Sequence, residues 1–167
     1  MNDIGKEFLN TAIRRLEYYK DLGEKTFDQL DNDDFHYQPN AESNSIAISI
    51  QHLAGNMLSR WTNFLTEDGE KEWRQRDDEF VLHSYNKQQL NDLWEKGWTC
   101  FFNAVKSLSE DDLLKMITIR QEPLTVIDAI NRQLAHYPYH IGQIIYIGRI
   151  IKNKDWKNLS IAKAQSK

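Results

Sequence analysis

Two histidines four residues apart, in His136-Tyr-Pro-Tyr-His140, carry the sharpest chemical signal in this 167-residue chain. On a helix, side chains at i and i+4 have Cβ atoms about 5–6 Å apart, so two imidazoles at that spacing can reach one metal ion at the ~2.0–2.1 Å of a zinc–nitrogen bond. Gln133 and Gln143 share their stripe, which runs beside a stripe of isoleucines. A polar stripe at the edge of a bundle interior is where helical bundles build metal sites, and the two amides can orient a ligand or a substrate. Tyr137 stands where a metalloprotease of the HExxH type has its glutamate. A phenol does not replace a carboxylate base at neutral pH, so that chemistry is excluded. Without a third donor, the pair reads equally as two satisfied structural histidines.

That donor has to come from another element. His52 is the candidate, on an otherwise apolar stretch with Gly55 beside it to let a facing helix come close. Taken alone, it reads as a satisfied interior histidine. His36, in a polar loop, and His83, in a long connection, read as exposed residues. Cys100, between Thr99 and Phe101, reads as a small packed residue rather than a nucleophile. The segment Glu70-Lys-Glu-Trp73-Arg74-Gln-Arg76-Asp77-Asp78 has two readings. It is a charged surface segment with local ion pairs, or it covers the bundle mouth and holds an anionic substrate group through Arg74 or Arg76. No P-loop, GxGxxG or GxSxG sequence occurs.

The elements that position these residues are helices. Seven glycines and three prolines are too few for the many tight turns of a β-sandwich or barrel. Apolar residues recur at helical spacing in four stretches. The first, from near Asp3, carries Phe8, Ala12, Leu16, Tyr19, Phe27 and Leu30. The second, capped by Ser45 and ending near Thr66, carries Ile50, Leu53, Ala54, Met57, Trp61 and Leu65. A charged connection, Glu67 to Tyr85, leads to a third with Leu90, Leu93, Trp94, Gly97, Phe101, Val105 and Leu108. Residues 109–123 are irregular, with Ile117 and Ile119 briefly extended. The fourth opens on Thr125-Val-Ile-Asp128, which has the spacing of a capping box, and carries Ile127, Ile130, Leu134, Tyr137, Ile141, Ile144, Gly148 and Ile151. Pro138 lies inside it and predicts a kink or bulge. The pattern predicts an all-α, antiparallel four-helix bundle forming a single domain over residues 1–167.

Composition narrows the partners. Twenty-one basic against 25 acidic residues give a net charge of −4, with no basic field to bind nucleic acid or an anionic membrane by charge. No apolar run approaches the roughly 20 residues that span a bilayer. The single cysteine makes no internal disulfide, and residues 1–20 are too charged for a secretory signal, so a cytoplasmic protein is expected. Aromatic residues at 11%, many of them exposed by pattern, predict an apolar patch and a homodimer.

Three stretches together, Ile50-Gln-His52-Leu-Ala-Gly-Asn56, Asp68-Gly-Glu-Lys-Glu-Trp73-Arg-Gln-Arg76 and Asn131-Arg-Gln-Leu-Ala-His136-Tyr-Pro-Tyr-His140-Ile-Gly-Gln143, resemble the DinB/YfiT-like superfamily of metal-binding four-helix bundles. The resemblance runs from the first helix to the tail Trp156 to Ser166, where Ala162 and Ala164 depart from the Pro and Gly that related sequences often have. Carried over by position, it implies metal ligands at His52, His136 and His140 and one divalent transition ion, zinc or nickel foremost. It also implies thiol-dependent S-transferase or isomerase chemistry, a low-molecular-weight thiol and a small electrophile being the reactants. A non-catalytic metal-binding or dimerising bundle and a metal-dependent hydrolase are the alternatives.

Overall fold

Serine, asparagine and threonine set the starts of the last three of the four helices. The computed structural model describes residues 3–161, so the tail positions Ala162 and Ala164 lie outside the described residues. Helix α1 spans Ile4–Phe27, α2 Ile46–Trp61, α3 Lys87–Lys106 and α4 Val126–Lys152. Ser45 accepts from the Ile48 amide and starts α2, while Asn86 and Gln89 close a reciprocal capping box on α3. On α4 only half of the expected box forms. Thr125 accepts from the Asp128 amide, but Thr125 is also the last residue of a strand, paired with Met116. Helix α4 continues unbroken through Pro138.

Residues 109–123 are more ordered than their sequence suggests. The strands β1, Met116–Ile119, and β2, Glu122–Thr125, form an antiparallel hairpin. Its tip, Arg120-Gln121, has φ of 56° and 63° without a glycine. Asp68 accepts from both tip amides at 2.8 Å, which holds the turn in this unfavourable region.

The helices pair as α1 with α4 and α2 with α3. Both pairs run parallel. A Cβ at Gly97 would meet Ala54 and Met57, and Phe101 packs edge-on against Trp61 at 5.0 Å, so α2 and α3 advance together. Gly5 meets Leu113 beside the start of α4, and Gly148 meets Thr26 near the end of α1. The expected antiparallel relation holds across α1 and α3, where Lys106 bonds Glu17 and Lys20 bonds Glu95, and across α2 and α4. It does not hold within the parallel pairs. Because α2 and α3 point the same way, residues 62–86 must return along the length of the bundle, which explains why that connection is long.

All four helices and the hairpin contribute to one hydrophobic cluster centred on Trp98, Tyr137, Phe101, Leu16, Ile50 and Ile141. Leu65, expected on the buried stripe of α2, lies beyond the helix end and is exposed, and Phe64 is buried instead. Among the described residues, no helix is long and apolar enough to cross a membrane.

Candidate metal centre

Antiparallel α2 and α4 bring His52, His136 and His140 together. One ring nitrogen from each lies within 4.8 Å of the other two, and the ring centroids are 4.8–5.4 Å apart. The His136 Nε2 atom is 3.0 Å from that of His140 and 3.4 Å from that of His52. Tetrahedral ligands at zinc–nitrogen bond length sit about 3.3 Å apart, so the nitrogens are spaced as ligands to one ion.

The opposite ring nitrogens fix which atom offers its lone pair. His52 Nδ1 donates to Glu79 Oε2 at 3.0 Å and His140 Nδ1 donates to Gln143 Oε1 at 3.0 Å. With the protons there, Nε2 of both rings is a bare acceptor facing His136. A proton on His136 Nε2 satisfies one of these acceptors well, whereas a cation at the centre satisfies all three. The donor set therefore fits a divalent transition metal. Burial, and then the neighbouring imidazoles, push the pKa values of His136 and His140 down to about 4, leaving both rings neutral and ready to ligate near pH 7.

Glu79 is the main residue that sequence reasoning missed. It lies on the short 3-10 turn Asp77–Phe80 of the returning segment. Arg74 grips its carboxylate, Nε to Oε1 at 2.7 Å and a terminal nitrogen to Oε2 at 2.9 Å. Gln51, the neighbour of His52, fastens the backbone of the same turn by donating to the carbonyls of Glu79 and Val81. Phe80 packs on the His52 ring at 4.8 Å. Gly55 does admit a close approach, but by Glu79 rather than a helix: a Cβ there would overlap the carboxylate. A glycine one turn from a candidate histidine was the available signal, although nothing in the sequence identified which residue fills the space.

The other expected residues fall around this centre. The Arg74 side chain is almost wholly buried and committed to Glu79, with Glu70 at 3.5 Å. Arg76 is half exposed and lies over the Phe80 ring at 5.1 Å. Gln143 orients His140, and Gln133 is buried with its Oε1 lacking a donor among the described residues. Tyr137 points into the core, donating to Asn56 and accepting from Trp61 Nε1 at 3.0 Å, and burial raises its pKa. Cys100 lies in the α2–α3 contact near Thr62 and the Met57 carbonyl. His36, expected to be exposed, is half buried and bonds the Tyr85 carbonyl oxygen, because the returning segment covers it. His83 meets Asp78.

Beside the centre lies a cavity of about 270 Å³, lined by His52, His136 and arginines from several elements. No curated protein and no solved structure matches the chain. One family does, described as a protein of unknown function (DUF1572), over residues 3–165. That match takes in both histidine-bearing helices and the segment that supplies Glu79, and the chain belongs to this family.

Proposed function

We propose that the protein holds one divalent transition metal, zinc or nickel, through His52, His136 and His140, in a bundle of the DinB/YfiT-like type, and is a thiol-dependent S-transferase acting on a small electrophile. The observation that carries the metal is the convergence of three Nε2 atoms, two of them backed by Nδ1–H donation to Glu79 and Gln143. An ion held by three imidazoles has at least one open position and a +2 charge, enough to ionise a bound thiol at neutral pH.

The chain's own residues favour thiol over water as nucleophile. Hydrolysis assisted by a carboxylate base calls for a free one, yet Glu79 is engaged on both oxygens by His52 and Arg74. Tyr137 is a buried, hydrogen-bonded phenol and Cys100 is packed between helices. A soluble thiol as cosubstrate supplies the nucleophile that these side chains do not. The cavity beside His52 and His136 is where the thiol and electrophile would meet.

The test is a conjugation assay on tag-free, metal-loaded protein, with several low-molecular-weight thiols against a panel of electrophiles. Turnover should require both metal and thiol, persist in Cys100→Ser and fall at least a hundredfold in His140→Ala. Turnover of esters or amides without any thiol would replace this reading with a hydrolase. Tight metal binding with no turnover across the panel would leave a metal-binding bundle.

A further inference from the structure

The cavity beside the three histidines is built for negative charge. Arg60 reaches it from α2, Arg74 and Arg76 from the returning segment, Arg120 from the hairpin tip and Arg132 from α4. Two carboxylates interleave with them. Glu70 bonds Arg60 at 2.8 Å and Arg120 at 3.1 Å, while Glu79 is taken by Arg74. Five guanidiniums against two carboxylates leave an excess of three positive charges at one opening, in a chain whose net charge is −4. Two further acids stand nearby: Asp77 is fully exposed and 3.7 Å from Arg76, and the Asp68 carboxylate is taken up by the backbone amides of Glu70, Arg120 and Gln121. So many like charges repel one another, and their concentration is explained most simply by an anion they share.

The hairpin tip independently singles out Arg120. Both central residues adopt left-handed backbone geometry, where glycine or asparagine is usual. The Asp68 carboxylate holds both amides and thereby keeps the arginine side chain at the cavity. Strain retained by a dedicated clamp marks a position where the side chain matters.

We infer that this cavity is an oxyanion subsite, holding the carboxylate or phosphate of a small acidic molecule against Arg60, Arg120 and Arg132. At about 270 Å³ the cavity is near the lower limit for small-molecule sites, which suits a compact metabolite-sized acid rather than a polymer. A molecule anchored there extends toward His52 and His136. The subsite stands on the arginines alone, and only the approach to a metal rests on the proposed function.

Calorimetric titration with inorganic phosphate, glutarate and neutral glutaramide tests it, on both chelated and metal-loaded protein. Phosphate or glutarate should bind the chelated wild type at millimolar concentration or below, and glutaramide should not. The two anions distinguish a phosphate from a carboxylate ligand. Arg120→Gln with Arg132→Gln, both at exposed side chains, should weaken binding at least tenfold, whereas Lys25→Gln, remote on α1, should not. Equal binding by the double variant, binding only when metal is loaded, or no binding of either anion would overturn the subsite. Anion binding without metal uptake would instead sink the metal reading and leave this one standing.

Discussion

At the residue scale, the three histidines depend on what stands behind them. Glu79 gives His52 a charged acceptor, and loss of such a partner typically costs 10–100-fold in metal affinity. Glu79→Gln should therefore weaken metal binding by that range in a chelator-competition titration, while the helical circular dichroism stays unchanged. Gly55→Ala is the sharper probe. Alanine is favoured over glycine inside a helix by about 1 kcal/mol, yet its Cβ would displace Glu79. It should lower metal affinity and, by leaving the buried Arg74 short of its partner, also lower the thermal midpoint of the chelated protein. Protonation provides another check. The folded-state pKa values of His136 and His140 lie near 4, below the ~6.5 of an unfolded chain. Above pH 6.5 both states are neutral. As the pH falls toward 4 the unfolded chain takes protons that the folded one resists, so chelated protein should lose stability across that window and level off below it. His136→Asn with His140→Asn should flatten the decline in melting temperature, and an unchanged slope would contradict the assignment. The i,i+4 histidines were legible in sequence because a helix repeats at short range. Glu79 was not, because 27 residues and a reversal of chain direction separate it from His52.

At the element scale, the parallel α2 and α3 require a long return, and that return supplies the Glu79, Arg74 and Phe80 that back His52. It is tied to α2 where Ser59 bonds the Gly69 carbonyl and again where Gln51 holds Glu79. It meets the hairpin where Asp68 accepts from the amides of Glu70, Arg120 and Gln121. Asp68→Ala would strand those donors and should destabilise the protein by about 2 kcal/mol in denaturant unfolding, with reduced anion affinity through Arg120. At Gly97, a Cβ would lie 3.0 Å from the Ala54 Cα atom. Gly97→Ala should cost about 1–3 kcal/mol by forcing α2 and α3 apart. Helix existence was readable from apolar periodicity, as were the Ser45 cap and the extended Ile117 and Ile119. Helix direction was not, since a buried stripe has no polarity. The hairpin was obscured because its tip is Arg-Gln, without the usual turn residues.

At the scale of the whole molecule, the composition indicated a helical fold and a large core, and both are present. The exposed face of α4 carries Tyr139, Gly142, Tyr146 and Ile150 at helical spacing, with open space over Gly142. We propose this stripe as the seam of the homodimer expected from aromatic content. Sedimentation should give the mass of two chains, falling to one in Tyr146→Glu. Metal binding should also stabilise the fold as a unit. At about 100-fold excess over the dissociation constant the gain is ~2.7 kcal/mol, or roughly 5–10 °C in melting temperature for a chain of this size. The central claim is tested most directly by elemental analysis of tag-free protein, after zinc or nickel loading and removal of free metal. About one ion per chain in the wild type, with loss of that ion in His52→Ala, His136→Ala and His140→Ala alike, is the predicted result. Full occupancy retained in the His136→Ala protein, or no ion held by the wild type, would contradict it.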